Sequence, residues 1–278
     1  MAPPLAAAVL LNHFFIVPTP ETYEALRQSA FLRESFAVFE ARTTVRRDLT
    51  YTGIYFYGDH TYFEFLPPGP GFAEGQAGVA FGVEESGAGA RLRARLEEGL
   101  GVKVGETGIT RQAEGKDVPW FRMVAAQTGQ GMGRFATWTM EYESTFLDQW
   151  FPELPPRGRG IARAAVLDRY VAKVGPPDAG ASRLLEDVTA LRLALGPDDR
   201  KRFLAQCRLF GHAVDEGKDG TVCRAPGVRF ALVPGDGGVV GFEMTLRRAV
   251  DPPADHRFGQ SVLRLGPGKT ATWSFAGP

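Results

Sequence analysis

The residues most able to do chemistry in this sequence are a histidine and a glutamate set among aromatic residues. The stretch YGDHTYFEF, residues 57–65, carries Glu64 in the middle of an apolar strand pattern, and the earlier stretch LNHFF carries His13. A buried carboxylate without a partner costs several kcal/mol, so Glu64 is expected to be exposed, paired with a positive group or bound to a cation. Which of these holds depends on the residues that the rest of the chain places beside it.

Side-chain alternation along the strands predicts which residues share a face with these two groups. In the first strand, residues 9–17, His13 and Phe15 fall on one face and Asn12 falls on the other. On the hairpin that carries Glu64, several tyrosines fall on the same face as Glu64, because a two-residue loop pairs positions of like parity. These tyrosines are Tyr55, Tyr57 and Tyr62. An imidazole and a carboxylate among aromatic rings form the expected wall of a small-molecule site.

The histidine at the hairpin turn, His60, lies too far along the strand to share an ion with Glu64. Four residues of a strand span roughly 13 Å, whereas the ligands of one metal lie about 2.0–2.2 Å from it. We therefore predict His60 at the rim of the cleft, as an acid–base residue or a substrate contact. Tyr55 and Tyr57 are the other candidates for moving a proton.

An internal repeat organises the elements around these residues. Residues 9–65 read as strand, helix and three strands, with Thr19 as the helix N-cap and Pro20 at the first helical position. The same order returns at 77–142 and, more weakly, at 186–246. Each copy carries a glutamate in its predicted last strand, namely Glu64, Glu141 and Glu243. The repeat predicts an α+β protein built from tandem βαβββ modules.

The copies and the segments between them predict three regions. Residues 1–150 hold two paired modules that form a cleft, and 151–180 form a Pro- and Gly-rich connector with one helix. Residues 181–278 hold the third module and a C-terminal hairpin. No pattern for a fourth helix is present, so the C-terminal half is predicted to hold an incomplete pair.

Composition excludes several classes of partner. The 278 residues are 44% hydrophobic and 23% charged, which is typical of a globular protein with a core. Lys and Arg together equal Asp and Glu at 32 each, without a basic block, so neither nucleic acid nor an anionic membrane is an expected partner. The apolar run at 5–11 is too short to span a bilayer and lacks a basic start, so we expect a cytoplasmic protein without a signal peptide.

The two cysteines, Cys207 and Cys223, could form at most one disulfide and make no metal-binding spacing. We interpret them as reduced thiols of a cytoplasmic protein. Two further histidines, His212 and His256, lie in turn-rich segments and are expected at the surface.

The hairpin YTGIYFYGDHTYFEFLPPG and the segment PGVRFALVPGDGGVVGFEMTL resemble the vicinal oxygen chelate superfamily, the fold of glyoxalases, bleomycin resistance proteins and extradiol dioxygenases. LNHFF together with GDHTYFEF is similar to a largely uncharacterised glyoxalase-like group within it. The resemblance implies that two modules pair edge to edge and that their curved sheets enclose a cleft. It also implies a divalent metal held by the first and last strands of both modules.

Carried over position by position, the metal-holding places of that superfamily fall on His13, Glu64, Val79 and Glu141. Valine cannot bind a metal, so the implied set is one imidazole and two carboxylates, a facial three-ligand arrangement for Fe, Mn, Zn or Ni. The implied substrate contacts are Phe15, Tyr62, Arg122 and Trp138.

Other interpretations of these residues stay open. Glu64 could instead form a buried ion pair with Arg122 or Arg134 of the neighbouring module. Glu143 could point inward in place of Glu141, and Trp138 could simply pack in the core.

The resemblance implies an enzyme that chelates vicinal oxygens of a small organic substrate on its metal. The ion would act as a Lewis acid or, if it is iron, would activate dioxygen, so isomerase, lyase and dioxygenase reactions all stay open. The competing hypothesis is a metal-free protein of the same fold that sequesters a small molecule, which the valine at position 79 favours. A third hypothesis is that modules pair between two chains, which would make the protein a homodimer.

Overall fold

The computed structural model describes residues 8–45, 49–113, 116–126, 133–154, 160–176, 179–218 and 220–275. The elements of its first half are β1 (Val9–Ile16), α1 (Pro20–Gln28), β2 (Val38–Val45), β3 (Thr50–Tyr57), β4 (Tyr62–Phe65), β5 (Ala77–Val83), α2 (Ala88–Leu100), β6 (Val104–Ala113), β7 (Lys116–Ala126) and β8 (Phe135–Tyr142). The first helix begins as the sequence predicts, because the Thr19 side chain accepts a hydrogen bond from the backbone N–H of Thr22 and Pro20 stands in the first turn.

The second half begins with helices and ends with strands. Its elements are α3 (Ser144–Trp150), α4 (Arg163–Val174), α5 (Ala179–Ser182), β9 (Leu185–Leu195), α6 (Pro197–Leu209), β10 (Ala213–Gly217), β11 (Gly220–Ala225), β12 (Val228–Pro234), β13 (Gly238–Val250), β14 (Ala254–Phe258), β15 (Ser261–Leu265) and β16 (Gly268–Phe275). None of the helices in the described part of the chain is long and apolar enough to cross a membrane.

The first sheet has eight strands in the order β2-β3-β4-β1-β5-β8-β7-β6. β1 and β5 are antiparallel neighbours at its centre. β1 is parallel to β4 and β5 is parallel to β8. The strand order is therefore mirrored about the boundary between β1 and β5.

The second sheet repeats this arrangement in the order β10-β11-β12-β9-β13-β16-β15-β14. β13 is 13 residues long and passes through the prolines at 252 and 253 into β14, so strands alone complete this half of the sheet. The protein is therefore mixed α+β, with two curled eight-stranded sheets and few helices.

The position of Glu243 differs from the sequence prediction. The repeat placed Glu243 in the last strand of the third copy, as a counterpart of Glu64. In the structure the short strands β10 and β11 precede β12, so Glu243 lies on β13, the strand that corresponds to β5 rather than to β4. Both short strands contain several polar or glycine residues, which hid them from an apolar strand pattern.

One aromatic core joins the two sheets. The ring of Phe242 in β13 lies 5.0 Å from that of Phe14 in β1 and 4.9 Å from that of Phe63 in β4. Trp273 of β16 is 1% exposed, and its ring lies 6.0 Å from that of Phe63. The helices α1, α2 and α6 add Leu26, Leu92 and Phe203 to the same cluster.

The remaining faces of the two sheets differ in exposure. In the second sheet buried and exposed residues alternate, which is typical of a sheet with one face in water. In the first sheet, β1 and β5 are buried on both faces. The second face of this sheet is covered by α3 and α4, which pack Trp150, Leu167 and Tyr170 against its tyrosines. We call this covered face the inner face.

Replacing Phe242 by alanine should lower the free energy of unfolding by about 3–5 kcal/mol, because the ring is buried among aromatic neighbours of both sheets. Since the core is shared, both sheets should unfold in one transition in wild type. Urea unfolding followed by far-UV and near-UV circular dichroism measures both effects. Phe39→Ala, at a half-buried ring, should cost less; two separate transitions in wild type would contradict a shared core.

Candidate functional site

His13 and Glu64 meet on the inner face of the first sheet. β1 and β4 run parallel, with His13 opposite Tyr62 and Phe15 opposite Glu64, so the two polar side chains stand at adjacent places of neighbouring strands. Nε2 of His13 lies 3.7 Å from Oε1 of Glu64. His13 is 5% exposed, and the side chain of Glu64 is 12% exposed. The distance is too long for a direct hydrogen bond and short enough for one ion or water molecule to join both atoms.

A bulge in β1 orients the imidazole. The pairing of β1 with β5 shifts by one residue just before His13, so Asn12 is an extra residue and its side chain lies on the inner face, not on the opposite face as alternation predicted. It lies over Gly82, where a Cβ atom would come within 3.1 Å of the Asn12 amide nitrogen. Nδ1 of His13 donates a hydrogen bond to Oδ1 of Asn12 at 2.9 Å. Nε2 is then the unprotonated nitrogen, and it faces Glu64.

Burial sets the protonation of both groups. It lowers the pKa of His13 to about 3, so the imidazole is neutral at physiological pH. It raises the pKa of Glu64 to about 7, an effect that the Arg42 guanidinium and a hydrogen bond from Tyr55 partly oppose. Glu64 can therefore gain or lose a proton near neutral pH while it faces a neutral imidazole.

Aromatic rings surround the pair, and three of them are predicted substrate contacts. Tyr62 stacks on His13 with ring centroids 4.4 Å apart, and Trp138 of β8 meets the imidazole edge-on at 5.4 Å. Phe15 lies 6.0 Å from Trp138. Gly78 lets both rings lie against the sheet, because a Cβ atom there would lie 2.5 Å from Phe15 and 2.6 Å from Trp138.

The predicted proton-moving residues Tyr55 and Tyr57 also lie on the inner face. Tyr55 is opposite Glu64 in the β3–β4 pairing and forms a hydrogen bond with it. Tyr57 donates a hydrogen bond to Oε2 of Glu40 at 2.5 Å, and its ring stacks on Tyr170 of α4 at 5.9 Å. Burial raises the pKa of both tyrosines well above its ordinary value, so both are phenols that can donate a hydrogen bond.

The positive group that acts on Glu64 is Arg42 of β2, which the sequence interpretation did not assign. Its guanidinium lies over the ring of Tyr55 at 4.2 Å and 3.5 Å from Oε2 of Glu40. Glu40 and Arg42 are two residues apart in β2 and therefore share one face of the sheet, and Glu40 is opposite Tyr55 in the β2–β3 pairing. This alternation of charged residues opposite the tyrosine strand was the signal that could have identified Arg42.

Glu141 does not join His13 and Glu64, contrary to the ligand set that the resemblance implied. Trp138 and Met140 of β8 face inward, so Glu141, one residue further, points to the opposite face of the sheet. There its carboxylate accepts hydrogen bonds from the backbone N–H of Gly87 at 2.6 Å and of Gly89 at 2.8 Å. It therefore caps the N-terminus of α2, where a negative charge is favourable.

Arg122, a predicted substrate contact, also lies away from the inner face. It is opposite Glu141 in the β7–β8 pairing and therefore shares its side of the sheet. Its side chain is 53% exposed, and its Nε donates a hydrogen bond to Glu143 at 2.9 Å. Glu143 therefore pairs with Arg122 at the surface and does not take the inward position that the sequence left open. Arg122 in turn does not pair with Glu64.

A complete three-ligand metal set is not formed on the inner face by the described residues. The residue of β5 opposite His13 is Ala80, whereas Val79 points into the core between the sheets. With Glu141 on the other face, the acidic, histidine and cysteine side chains supply two ligand atoms here, those of His13 and Glu64.

His60 lies at an exposed turn, at some distance along the hairpin from Glu64. Its Nδ1 is 3.0 Å from Oδ2 of Asp187 at the start of β9. Its backbone carbonyl accepts a hydrogen bond from Arg163 of α4 at 2.8 Å. These contacts tie the hairpin turn to the second sheet and to the helix that covers the inner face.

A second cluster of reactive side chains was missed by the sequence interpretation. Cys207, His212 and Cys223 are 1%, 7% and 0% exposed, so His212 is not the surface residue that its turn-rich segment predicted. Their ligand atoms lie within 4.8 Å of one another. Burial raises the pKa of the Cys207 thiol, whereas a hydrogen bond from Cys207 lowers the pKa of the Cys223 thiol to about 6. A histidine five residues after a cysteine at a helix end was the available signal. The other histidine expected at the surface, His256, is half-buried.

A family model matches residues 11–275 of the chain and is described as a family of unknown function, DUF5829. The chain belongs to this family. No curated protein matches it.

Two solved structures resemble this DUF5829 protein, both at low sequence identity and low TM-score. One is a xylose isomerase-like TIM barrel/4-hydroxyphenylpyruvate dioxygenase fusion protein, with 13% identity and a TM-score of 0.41, which covers 84% of this chain and 33% of that protein. The other is a "putative dioxygenase from Bacillus subtilis subsp. subtilis str. 168", with 16% identity, a TM-score of 0.27, and coverage of 92% and 81% of the two chains. This chain spans a third of the fusion protein's length. At these TM-scores the likeness carries no functional conclusion.

Removing the Glu141 carboxylate should destabilise the protein by about 1–2 kcal/mol, because two backbone N–H groups at the start of α2 lose their acceptor. Thermal or urea unfolding of Glu141→Ala measures the loss. Glu243→Ala is the matched control, since Glu243 pairs with Arg229 at an exposed site and should cost at most about 1 kcal/mol. Equal losses in both variants would contradict the capping role.

Proposed function

We propose that the inner face of the first sheet is a small-molecule site of the vicinal oxygen chelate kind, in which Glu64 transfers a proton with His13 as its neutral partner. One observation carries the proposal. A carboxyl group whose pKa lies at about 7 faces an unprotonated imidazole nitrogen 3.7 Å away on a buried aromatic surface. General acids and bases work best when their pKa lies near the working pH.

The fold forms part of the proposal. Both halves of the first sheet and the β9–β12 half of the second are βαβββ-type modules, with 1–150 as the paired unit, 151–180 as the connector that covers its inner face, and 181–278 as a third module completed by C-terminal strands. The mirrored strand order about β1 and β5 supports this division. A helix directly after β1, β5 and β9 supports it too.

The residues around the pair have separate roles in the proposed proton transfer. Asn12 holds the imidazole by its Nδ1–H, so Nε2 remains an acceptor towards the site. Tyr55 donates a hydrogen bond that favours the ionised form of Glu64, and Arg42 acts in the same direction. Together they oppose the effect of burial, which raises the pKa of Glu64.

The aromatic surface indicates the class of substrate. Tyr62 and Trp138 contact the imidazole, and Phe15 extends the apolar wall beside them. Such a wall favours a small, flat organic molecule that carries a carbonyl or hydroxyl group towards Glu64. A hydrogen on the carbon next to that carbonyl is the proton that a carboxylate of this pKa could remove.

A divalent ion, which the resemblance implies, would be held by His13 Nε2 and Glu64 and would polarise a substrate oxygen as a Lewis acid. These two atoms fit a cation by their chemistry, because one is an unprotonated imidazole nitrogen and the other a carboxylate oxygen. They leave most of the coordination to the bound molecule. Proton transfer by Glu64 does not depend on this ion.

A second candidate function is metal-free sequestration of a small molecule. It is favoured by the half of the inner face that β5 and β8 provide, where Ala80, Trp138 and Met140 offer packing and no charge. The buried pair would then serve recognition only.

Hydrogen–deuterium exchange separates an enzyme from a binder. A panel of small aromatic hydroxy- and keto-acids is incubated with the protein in deuterated water, and exchange at the carbon next to the carbonyl is followed by NMR. Wild type should accelerate exchange of at least one compound, and Glu64→Gln should lower that rate by about 100-fold or more. Glu243→Gln, on an exposed face, should not change it.

The outcomes of this experiment are distinct. Ligand binding without any exchange favours sequestration. Exchange that survives in Glu64→Gln contradicts the proposed role of Glu64. Metal content of wild type and of Glu64→Gln, measured on the same samples, shows whether an ion depends on this carboxylate.

The raised pKa of Glu64 predicts a pH-dependent stability. The folded protein binds this proton more tightly than the unfolded chain, because the pKa rises from 4.5 to about 7. Stability is therefore lost as the pH rises from about 4.5 through 7, by roughly 3 kcal/mol in total. Gln stays neutral, so Glu64→Gln should gain on wild type between pH 5 and pH 8 in urea unfolding. A difference between the two proteins that does not change with pH would contradict the raised pKa.

A further inference from the structure

The cluster of Cys207, His212 and Cys223 lies apart from the inner face, where α6 and β11 meet β1. We propose that these three residues form a binding site for one thiophilic d10 cation, Zn²⁺ or Cu⁺. Among the described residues no other group of three histidine, cysteine or acidic side chains brings its ligand atoms within reach of one ion. The proposal rests on this geometry and is independent of the proton transfer assigned to Glu64.

The end of α6 places two of the three ligands side by side. Gly211 adopts a left-handed conformation with φ of +81°. Its N–H bonds to the carbonyl of Arg208, and the N–H of His212 bonds to the carbonyl of Cys207, each at 3.0 Å. This is the hydrogen-bond pattern of a Schellman motif, which turns the chain back over the last helical turn. It brings the imidazole over the thiol of Cys207.

The imidazole is oriented for coordination through Nδ1. Nε2 of His212 lies 2.8 Å from the backbone carbonyl oxygen of Val9. Because a carbonyl can only accept, Nε2 carries the proton and Nδ1 keeps its lone pair. Nδ1 points towards Cys223, whose Sγ lies 3.9 Å away. A carbonyl that fixes the ring of a metal-binding histidine is the usual outer partner in such sites.

The spacing of the three ligand atoms suits one small ion. With metal–sulfur bonds of about 2.3 Å and metal–nitrogen bonds of about 2.0–2.1 Å, ligand atoms at tetrahedral or trigonal angles lie roughly 3.5–4.0 Å apart. The observed distance of 3.9 Å between Cys223 Sγ and His212 Nδ1 lies within this range. All three atoms lie within 4.8 Å of one another, so closure onto an ion needs sub-ångström side-chain shifts.

The surroundings select a soft ion. Two sulfur ligands favour Zn²⁺ or Cu⁺ over Mg²⁺ and Ca²⁺, which prefer oxygen. The rings of Phe210 and Phe81 lie 5.5 Å and 5.9 Å from the imidazole, so the site is apolar around its ligands. A dication with two thiolates and a neutral imidazole carries no net charge, which makes burial of the complex favourable.

A bound ion would connect three elements that are distant in sequence. Cys207 belongs to α6, Cys223 to β11, and His212 holds the carbonyl of Val9 at the start of β1. The ion would therefore fasten the second sheet to the strand that carries His13. Because ions bind the folded chain and not the unfolded one, occupancy should raise the melting temperature.

The test uses the full chain, purified with a reductant and without chelators. Metal per chain is measured by mass spectrometry. The metal-free protein is then titrated with Co²⁺ and Zn²⁺, and with Cu⁺ under anaerobic conditions against a chromophoric chelator. Wild type should bind one ion per chain, show a thiolate-to-cobalt charge-transfer band and melt at a higher temperature with Zn²⁺ or Cu⁺ bound. Cys207→Ser and Cys223→Ser should each weaken binding by at least about 100-fold.

Two controls separate this site from the others. His256→Gln changes a half-buried histidine of the same sheet and should leave binding unchanged. Glu64→Gln should also keep the ion, which distinguishes this site from one on the inner face. If a serine variant does not fold, alkylation of the wild-type thiols still tests the proposal. A bound ion should protect both thiols from alkylation until a chelator removes it.

The proposal is overturned if wild type binds no Zn²⁺, Cu⁺ or Co²⁺ near one ion per chain. It is equally overturned if both serine variants bind as tightly as wild type, or if the two thiols react at the same rate with and without the ion. Cys207 and Cys223 joined in a disulfide that resists the reductant would also exclude it.

Discussion

The arrangement of the inner face depends on one strand, β1, which is buried on both faces. Phe14 packs into the core between the sheets, while the next residue back, His13, lies on the inner face. A shift of β1 by one residue would exchange these faces, placing a phenylalanine beside Glu64 and an imidazole in the aromatic core. The rings of Phe14, Phe63 and Phe242, packed at 4.9–5.5 Å, oppose such a shift. The core that joins the sheets therefore also fixes the position of the imidazole.

Burial also explains why the two sheets differ although their strand order is the same. Glu64 lies beneath α3, α4 and a set of tyrosines, so its charge is poorly solvated and its pKa rises. Glu243 lies on the open face of the second sheet and pairs with Arg229 in water. A surface pair of this kind contributes little to stability. The covering helices, more than the strands, therefore account for the different surroundings of the two carboxyl groups.

Alternation along β1 and β4 predicted which residues share a face with His13 and with Glu64, and the resemblance to the vicinal oxygen chelate superfamily implied that the two residues meet. Prediction from periodicity failed where the face that a side chain takes depends on the exact residue position in the strand. The bulge at Asn12 moved an amide onto the inner face, and Glu141 fell on the outer one, where it caps α2. Arg42 and the cluster around His212 depend on contacts between distant segments, such as the bond from His212 to Val9, 203 residues apart. Periodicity within one element contains no information about such contacts.

The cost of the buried pair bears on what the inner face can bind. The unprotonated Nε2 of His13 and the carboxyl of Glu64 face each other at 3.7 Å, too far apart to satisfy one another directly. Tyr55 already forms a hydrogen bond with Glu64, but a buried polar group with unused hydrogen-bonding capacity still costs free energy. A ligand with a polar atom between His13 and Glu64 therefore relieves that cost on binding, whereas a wholly apolar ligand leaves it in place. In the proposed function, the inner face therefore discriminates between molecules of the same shape by the polar atom that each one carries.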